Sequence, residues 1–431
     1  MKAVLAKRVD SGTADLAELR DLAAAAGYEV VGDLTQTRKE DPAYHFGEGK
    51  VAELADLMVR TRADTVIIDN EVSPFQMFNI GQALPEEIDV LDRFTLILDI
   101  FGQRAQTRKA QLQVELAELR YELPRASAKA SLAKRDERPG FMGLGEYDES
   151  REQDIKSQIA NIKEELEAIA EKEEQRRSER RDSGFDLVAL AGYTNAGKST
   201  LLRRLAAELD VDENAEKHPD LDDVAESQDM LFTTLGTTTR RAELERRDVL
   251  LTDTVGFISD LPHWLVESFQ STLDSVYRAD LVLLVVDASE PVQEMREKLV
   301  TSHDTLHERN EAPILTVFNK TDLLSEDELE EKQAALAALA PDPIAVSGKT
   351  GENIDALRDR VEAELPDWEH ERLLVPMADE TMSFVSWLYD HAYVETESYE
   401  TEQVLLEFEA RPAIVEQARA KAAELTPVES A

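Results

Sequence analysis

The spacing of apolar positions changes character along this chain. Over residues 1–104 short apolar runs at 3–6, 28–31 and 65–69 read as strands, and amphipathic stretches at 14–26, 51–60 and 94–101 read as helices, which together predict a small α/β domain. From 105 to 182 the pattern is helical throughout. Leu112, Leu116, Leu119 and Leu123, and later Ile155, Ile159, Ile162, Leu166 and Ile169, recur at alternating spacings of four and three, a seam on each of two helices that face each other as a hairpin arm. Residues 183–366 return to strand and helix: apolar runs at 185–191, 248–252, 281–286, 313–318 and 344–346 predict buried strands, and 198–209 carries Leu201, Leu202, Leu205 and Leu209 on one helical face. Residues 367–431 predict a small α+β domain. It has a strand at 373–376, a helix at 380–391 with Phe384, Trp387 and Leu388 inward, an antiparallel pair at 393–398 and 404–408, and a final helix at 413–423. The aromatic residues of this last module read as core.

Composition alters that picture in two ways. The chain of 431 residues carries 48 Lys and Arg against 90 Asp and Glu, a net charge of −42 spread along most of its length. Such a surface opposes generic nucleic-acid binding at low salt and suits a concentrated-salt cytoplasm, where screening lengths fall to about 3 Å at 1 M. There is no cysteine, which excludes disulfides, thiolate metal sites and a catalytic thiol. The first residues offer too short an apolar run for a signal peptide and no uninterrupted apolar stretch approaches a membrane span, so the expectation is a soluble, cytoplasmic protein. A monomer is the expected state.

Against this acidic background, residues 124–145, expected as the loop that joins the two helices, contain Arg125, Lys129, Lys134, Arg135 and Arg138 with only Asp136 and Glu137 opposing them. The same segment ends in Pro139-Gly140-Phe141-Met142-Gly143-Leu144-Gly145. Flexible backbone, positive charge and an aromatic suit contact with folded RNA, because cations meet phosphates and rings stack on bases. A second basic cluster, Arg176, Arg177, Arg180 and Arg181, closes the arm. In the N-terminal domain, Gly47-Glu48-Gly49-Lys50 reads as a turn that starts a helix.

The chemistry concentrates in residues 183–366. Gly192-Tyr193-Thr194-Asn195-Ala196-Gly197-Lys198-Ser199 lies between a strand and a helix and forms a phosphate-binding loop. Backbone N–H groups of a glycine-rich turn, with the positive end of a helix behind them, wrap a polyphosphate where no side chain obstructs. Lys198 would reach the terminal phosphates and Ser199 would hold Mg2+. Asp253 in Asp253-Thr254-Val255-Gly256 ends a strand, where it can hold Mg2+ through water, and Gly256 lets its N–H approach the γ-phosphate. A switch also needs one hydroxyl at the metal, and Thr233, Thr234, Thr237, Thr238 and Thr239 all offer one. Phe257 stands where GTPases commonly carry a water-orienting glutamine, which implies weak intrinsic hydrolysis until a partner supplies that function. Asn319-Lys320-Thr321-Asp322 follows another strand and selects the base, because the Asp322 carboxylate can accept both the N1–H and the N2 amine of guanine. Ser347-Gly348-Lys349 would close over the base edge.

With these pieces in order, the chain resembles the HflX family of GTPases over nearly its whole length. Stretches similar to those of the family are Asp41-Pro42-Ala43-Tyr44-His45-Phe46-Gly47-Glu48-Gly49-Lys50-Val51, Leu91-Asp92-Arg93-Phe94-Thr95-Leu96-Ile97-Leu98-Asp99-Ile100-Phe101, Leu112-Gln113-Val114-Glu115-Leu116-Ala117 and the loop from Gly192 through Thr200. The resemblance implies a cytosolic GTPase that binds GTP or GDP and the large ribosomal subunit with its RNA. It also implies an arm reaching toward the peptidyl transferase region, and bacterial members split stalled or stressed ribosomes. Family members also show ATP hydrolysis and RNA remodelling by the N-terminal part, so a nucleotide-gated RNA-binding or remodelling module is the alternative reading. By the same resemblance Phe232-Thr233-Thr234-Leu235-Gly236 contacts the nucleotide, with Thr234 as the magnesium threonine. Phe141-Met142-Gly143-Leu144-Gly145 departs from the bacterial arm pattern Glu-Thr-Gln-Leu-Glu and looks like the archaeal one. That departure puts ribosome binding ahead of ribosome splitting and, with the charge, suggests a salt-loving archaeon.

Overall fold

The computed structural model describes the chain except residues 86, 137–144, 183, 207–237, 255, 258–264, 266–275, 308–311, 401 and 426–431, and except the side chains of 125–136, 145–150, 176–182, 238 and 379. The described residues form two compact units, the first containing Met1–Ala168. Its sheet is fully parallel in the order β2-β1-β3-β4, from β1 (Lys2–Val9), β2 (Glu29–Thr37), β3 (Thr65–Ile68) and β4 (Asp89–Asp92). Four helices cover it: α1 (Ala17–Ala25) packs with α4 (Arg93–Arg104), and α2 (Glu48–Thr61) packs with α3 (Pro74–Ala83). Ala3, Val4, Leu5 and Ala6 are fully buried, as a strand covered on both faces requires. Gly47 is the N-cap of α2, so the glycine pair there does start a helix.

Two elements of this unit are absent from the pattern reading. β4 is only four residues long, and α3 turns Phe75 and Phe78 outward while burying Gln76, which inverts the usual amphipathic signal. Local chemistry nevertheless marks α3, because Ser73 and Gln76 form a capping box ahead of Pro74.

The arm consists of α5 (Arg108–Asp136) and α6 (Gly145–Asp182). Leu112, Leu116, Leu119, Ile155 and Ile162 are buried. Arg108 makes a bidentate pair with Glu165 at 2.8 and 2.9 Å, and Arg151 pairs with Glu122, so positions rise on one helix as they fall on the other. The helices are therefore antiparallel. The basic segment expected as a loop from Pro124 is helical as far as Asp136. A proline inside a helix removes one hydrogen bond, and the alanine-rich stretch after it (Ala126, Ala128, Ala130, Ala133) has the propensity to continue regardless. Phe141, Met142 and Leu144 lie outside the described residues, as do the side chains of Arg176, Arg177, Arg180 and Arg181.

The second unit holds a six-stranded sheet in the order β10-β9-β8-β5-β7-β6. Its strands are β5 (Asp186–Gly192), β6 (Thr238–Glu243), β7 (Asp248–Asp253), β8 (Leu281–Asp287), β9 (Ile314–Asn319) and β10 (Ile344–Ala345). All neighbours are parallel except the β6–β7 edge pair. Its helices include α7 (Lys198–Ala206), α8 (Val292–His307), α9 (Glu326–Leu336) and α10 (Ile354–Glu364). Leu201, Leu202 and Leu205 of α7 join Val188, Leu190, Leu283 and Val317 of the strands in one core.

The same unit carries a three-stranded antiparallel sheet, β11 (Glu369–Pro376), β13 (Gln403–Ala410) and β12 (Tyr393–Tyr399), with α11 (Asp379–His391) and α12 (Pro412–Leu425). Phe384 and Leu388 are buried in its core and Trp387 packs against it. Fully buried Asp186, at the start of β5, ties this sheet to the larger one. It receives Arg411 at 2.8 Å, Arg247 at 3.2 Å and the Trp368 indole N–H at 3.2 Å, and burial pushes its carboxyl above the usual range against the pull of the two arginines. The architecture is thus a small α/β domain with a two-helix arm, a P-loop domain, and a small α+β module.

Candidate functional site

Parallel pairing aligns the carboxyl ends of the central strands along one edge of the six-stranded sheet: Leu190 lies beside Asp253, Gly192 beside Val285, and Asp287 beside Asn319. This is the edge where open α/β sheets bind ligands.

The loop leaving β5 needs its glycines. Gly192 has φ +140°, and a Cβ there would lie 2.2 Å from the Val285 carbonyl oxygen. Gly197 has φ +87°, and a Cβ there would lie 2.3 Å from the Asn319 side-chain nitrogen. Asn195 adopts φ +63°, a conformation asparagine tolerates. Lys198, 7% exposed, donates to the carbonyl oxygens of Gly192 at 3.0 Å and Tyr193 at 2.7 Å, bracing the loop it serves. Burial lowers its amine to about 8, with the Asp253 charge opposing.

Ser199 and Asp253 come together, the hydroxyl donating to Oδ2 at 2.6 Å. Two hard oxygens at one point, beside the phosphate loop, fit a magnesium ion. Thr254 bonds back to the Leu190 carbonyl at 2.7 Å, and Thr200 follows on the first turn of α7. Gly256 packs so closely on the loop that a Cβ would meet the Thr194 backbone at 2.8 Å. Phe232, Thr233, Thr234, Leu235, Gly236 and Val255 lie outside the described residues.

The Asn319–Asp322 and Ser347–Lys349 segments meet the phosphate loop through Asn319. Its Nδ2 donates to the Ala196 carbonyl at 2.9 Å, and its Oδ1 accepts from the Gly348 N–H at 2.9 Å. Ser347 donates to Asp322 Oδ1 at 2.7 Å, which orients the carboxylate. Thr321 and Lys349 flank this cradle, and Arg204 of α7 donates to the Lys349 carbonyl at 2.8 Å. The cradle can take a base with two adjacent donors at Asp322 and a polyphosphate at the loop.

Two contributors escape motif reading. Asp287, at the end of β8, pairs with Lys320 at 2.7 Å, and Lys320 sits at φ +66°. The rule that strand carboxyl ends line the site would have singled out Asp287. The other is the contact of Tyr193 with Phe257, which joins residues too far apart for any spacing rule.

No helix among the described residues is long and apolar enough to cross a membrane.

Three family profiles match in succession: "GTP-binding GTPase N-terminal" over 13–102, "GTP-binding GTPase Middle Region" over 104–180 and "50S ribosome-binding GTPase" over 187–320. The chain is 41% identical over 372 residues to the GTPase HflX of Thermococcus kodakarensis, covering 83% of this chain and 80% of that one. It is 38% identical over 397 residues to the GTPase HflX of Methanocaldococcus jannaschii, covering 91% and 92%. The Escherichia coli GTPase HflX is 36% identical over 365 residues, covering 83% and 81%. Among solved structures, a GTP-binding protein from Sulfolobus solfataricus in complex with GDP aligns with a TM-score of 0.45 at 24% identity, covering 84% of this chain and 98% of that one.

Proposed function

The chain belongs to the HflX family of GTPases, and we propose that it is a GTP-dependent factor of the large ribosomal subunit, acting in the cytoplasm in ribosome recycling or rescue under stress. It binds guanine nucleotide and hydrolyses GTP to GDP and phosphate. The observation that carries the reading is the single connected cradle in which Asn319 joins the phosphate loop to the base-reading segment.

In this reading the backbone from Gly192 through Thr200 wraps the phosphates and Lys198 meets the terminal ones. Asp322, oriented by Ser347, takes guanine over adenine, because leaving that carboxylate without its donors is costly. Ser199, Asp253 and Thr234 would hold Mg2+, which neutralises charge on the phosphate oxygens. Phe257 offers no polar group to orient water, so docking on ribosomal RNA is what speeds hydrolysis. The basic arm segment supplies that contact in an otherwise acidic chain. The charge of −42 and the arm sequence from Phe141 support reading it as an archaeal member that works at high salt.

Co-sedimentation with ribosomal subunits at molar salt tests the partner and the switch together. The large subunit should carry the protein down with a non-hydrolysable GTP analogue and much less with GDP; equal binding in both states would sink the reading. Removing residues 124–145 should abolish co-sedimentation and leave guanine-nucleotide binding intact.

A further inference from the structure

Phe257 is 7% exposed and its ring meets Tyr193 edge-on, with centroids 6.3 Å apart at 72°. Its backbone is fastened to the phosphate loop from both sides: the N–H donates to the Gly192 carbonyl at 2.9 Å, and the carbonyl accepts from the Thr194 N–H at 3.0 Å. Between these bonds and the end of β7 lies Gly256, flat against Thr194. Tyr193 is itself 6% exposed, with the Lys298 ammonium 5.6 Å over its ring and Lys298 paired to Glu290 at 2.5 Å. Its carbonyl takes the Lys198 ammonium at 2.7 Å. One residue of the loop therefore touches both the lysine that meets phosphate and the aromatic that follows Gly256.

A buried phenyl ring cannot orient water, but it can fix where its own backbone lies. We infer that Tyr193 is a positioning residue for hydrolysis: its ring seats Phe257 and thereby holds the Gly256 N–H at the phosphate loop. The apolar residue at this position is then an anchor, and the energy of the ring pair goes into preorganising a donor for the charge that develops on the γ-phosphate. Loosening the seat lets Gly256 drift, and a misplaced donor lowers the rate without weakening the grip on the phosphates nearer the base.

The test is single-turnover GTP hydrolysis by the full chain without ribosomes, so its result is independent of whether the large subunit is the partner. Tyr193→Ala and Phe257→Ala should each lower the single-turnover rate constant about tenfold, with Kd for GTP and for GDP within about twofold of wild type. Tyr193→Phe, which keeps the ring, should retain the full rate. The double variant should be no slower than either single one, because both remove the same contact. A full rate for Tyr193→Ala overturns the proposal, as does strict additivity in the double variant. A loss of GDP affinity as large as the loss of rate also overturns it, since Tyr193 would then serve nucleotide grip alone. Should Tyr193→Ala fail to fold, Phe257→Leu keeps the apolar fill without the ring, and a full rate there is equally fatal.

Discussion

At the carboxyl edge of the N-terminal sheet the strand ends are closed by side chains, whereas at the same edge of the six-stranded sheet they are closed by a glycine-rich backbone. Both sheets are parallel at their centres and both gather polar residues at that edge. In the first, Asp69 after β3 takes Lys7 at 2.7 Å and Arg93 at 2.5 Å, and Arg93 reaches on to Glu18 at 2.7 Å. Arg8 donates to buried His45, to Asp10 and to the Arg38 carbonyl, while Gln76 donates to Glu40 and to the Asp41 carbonyl. Burial pushes the His45 ring below its ordinary range, which keeps it neutral and able to accept from Arg8. In the second, Lys198 braces the loop through the carbonyls of Gly192 and Tyr193, and the Thr194 and Ala196 N–H groups bond to the carbonyls of Phe257 and Tyr193, so backbone rather than side-chain ion pairs closes the edge. Parallel strand ends thus yield a structural knot where ion pairs satisfy each other, and a receptive site where a glycine-rich turn precedes a helix N-terminus.

The comparison breaks most directly at Lys198. Lys198→Ala should lower GTP hydrolysis about 100- to 1,000-fold, as losing a main charge stabiliser does elsewhere. ATP turnover surviving in that variant at the wild-type rate would mean that the N-terminal edge is also a nucleotide site, and the contrast drawn above would be wrong.

Next in size is base choice. Asp322→Asn removes the acceptor that guanine's two donors need and should weaken GTP binding about 100-fold while favouring xanthosine triphosphate. Competition between the two nucleotides for the variant measures this, and unchanged GTP preference would remove Asp322 from the base contact. The knot responds differently. Asp69→Asn strips a charge from a carboxylate 2% exposed against an arginine 5% exposed, and should cost about 3 kcal/mol in denaturant unfolding. GTP hydrolysis per folded molecule should be unchanged, and a matching fall in rate would show that the first edge takes part in the chemistry.

The two edges also differ in how far they can be read from sequence. Gly192 through Ser199 and Asn319 through Asp322 declare themselves because their chemistry is local: consecutive backbone groups and one side chain do the work, and the flanking apolar runs give the context. The knot is assembled from Lys7, Glu18, Asp69 and Arg93, scattered over three elements and a loop, and no period connects them. The Tyr193–Phe257 seat is hidden for the same reason, although both residues lie in recognisable motifs. Strand β4 and helix α3 are lost to shortness and to an inverted apolar face, respectively. The helix through Pro124 shows that a breaker residue predicts a boundary only where its neighbours do not favour continuation.

The smallest expected effect separates the edges by protons. The Lys198 amine, lowered to about 8 by burial, gives up its charge in the empty protein well before an exposed lysine does. Because its folded value lies below the 10.5 of an ordinary lysine, the unfolded chain binds more protons in that window and the nucleotide-free protein gains stability as pH rises from about 8. Phosphates beside the amine favour its charged form, so nucleotide binding near pH 8 should take up about half a proton at this group, falling toward none by pH 6.5. Calorimetric binding enthalpies in buffers of different ionisation heat measure that uptake. Lys198→Met should remove it while Arg8→Met leaves it in place. Uptake that persisted without Lys198 would assign the proton to another group and deprive the bracing lysine of its special place at the receptive edge.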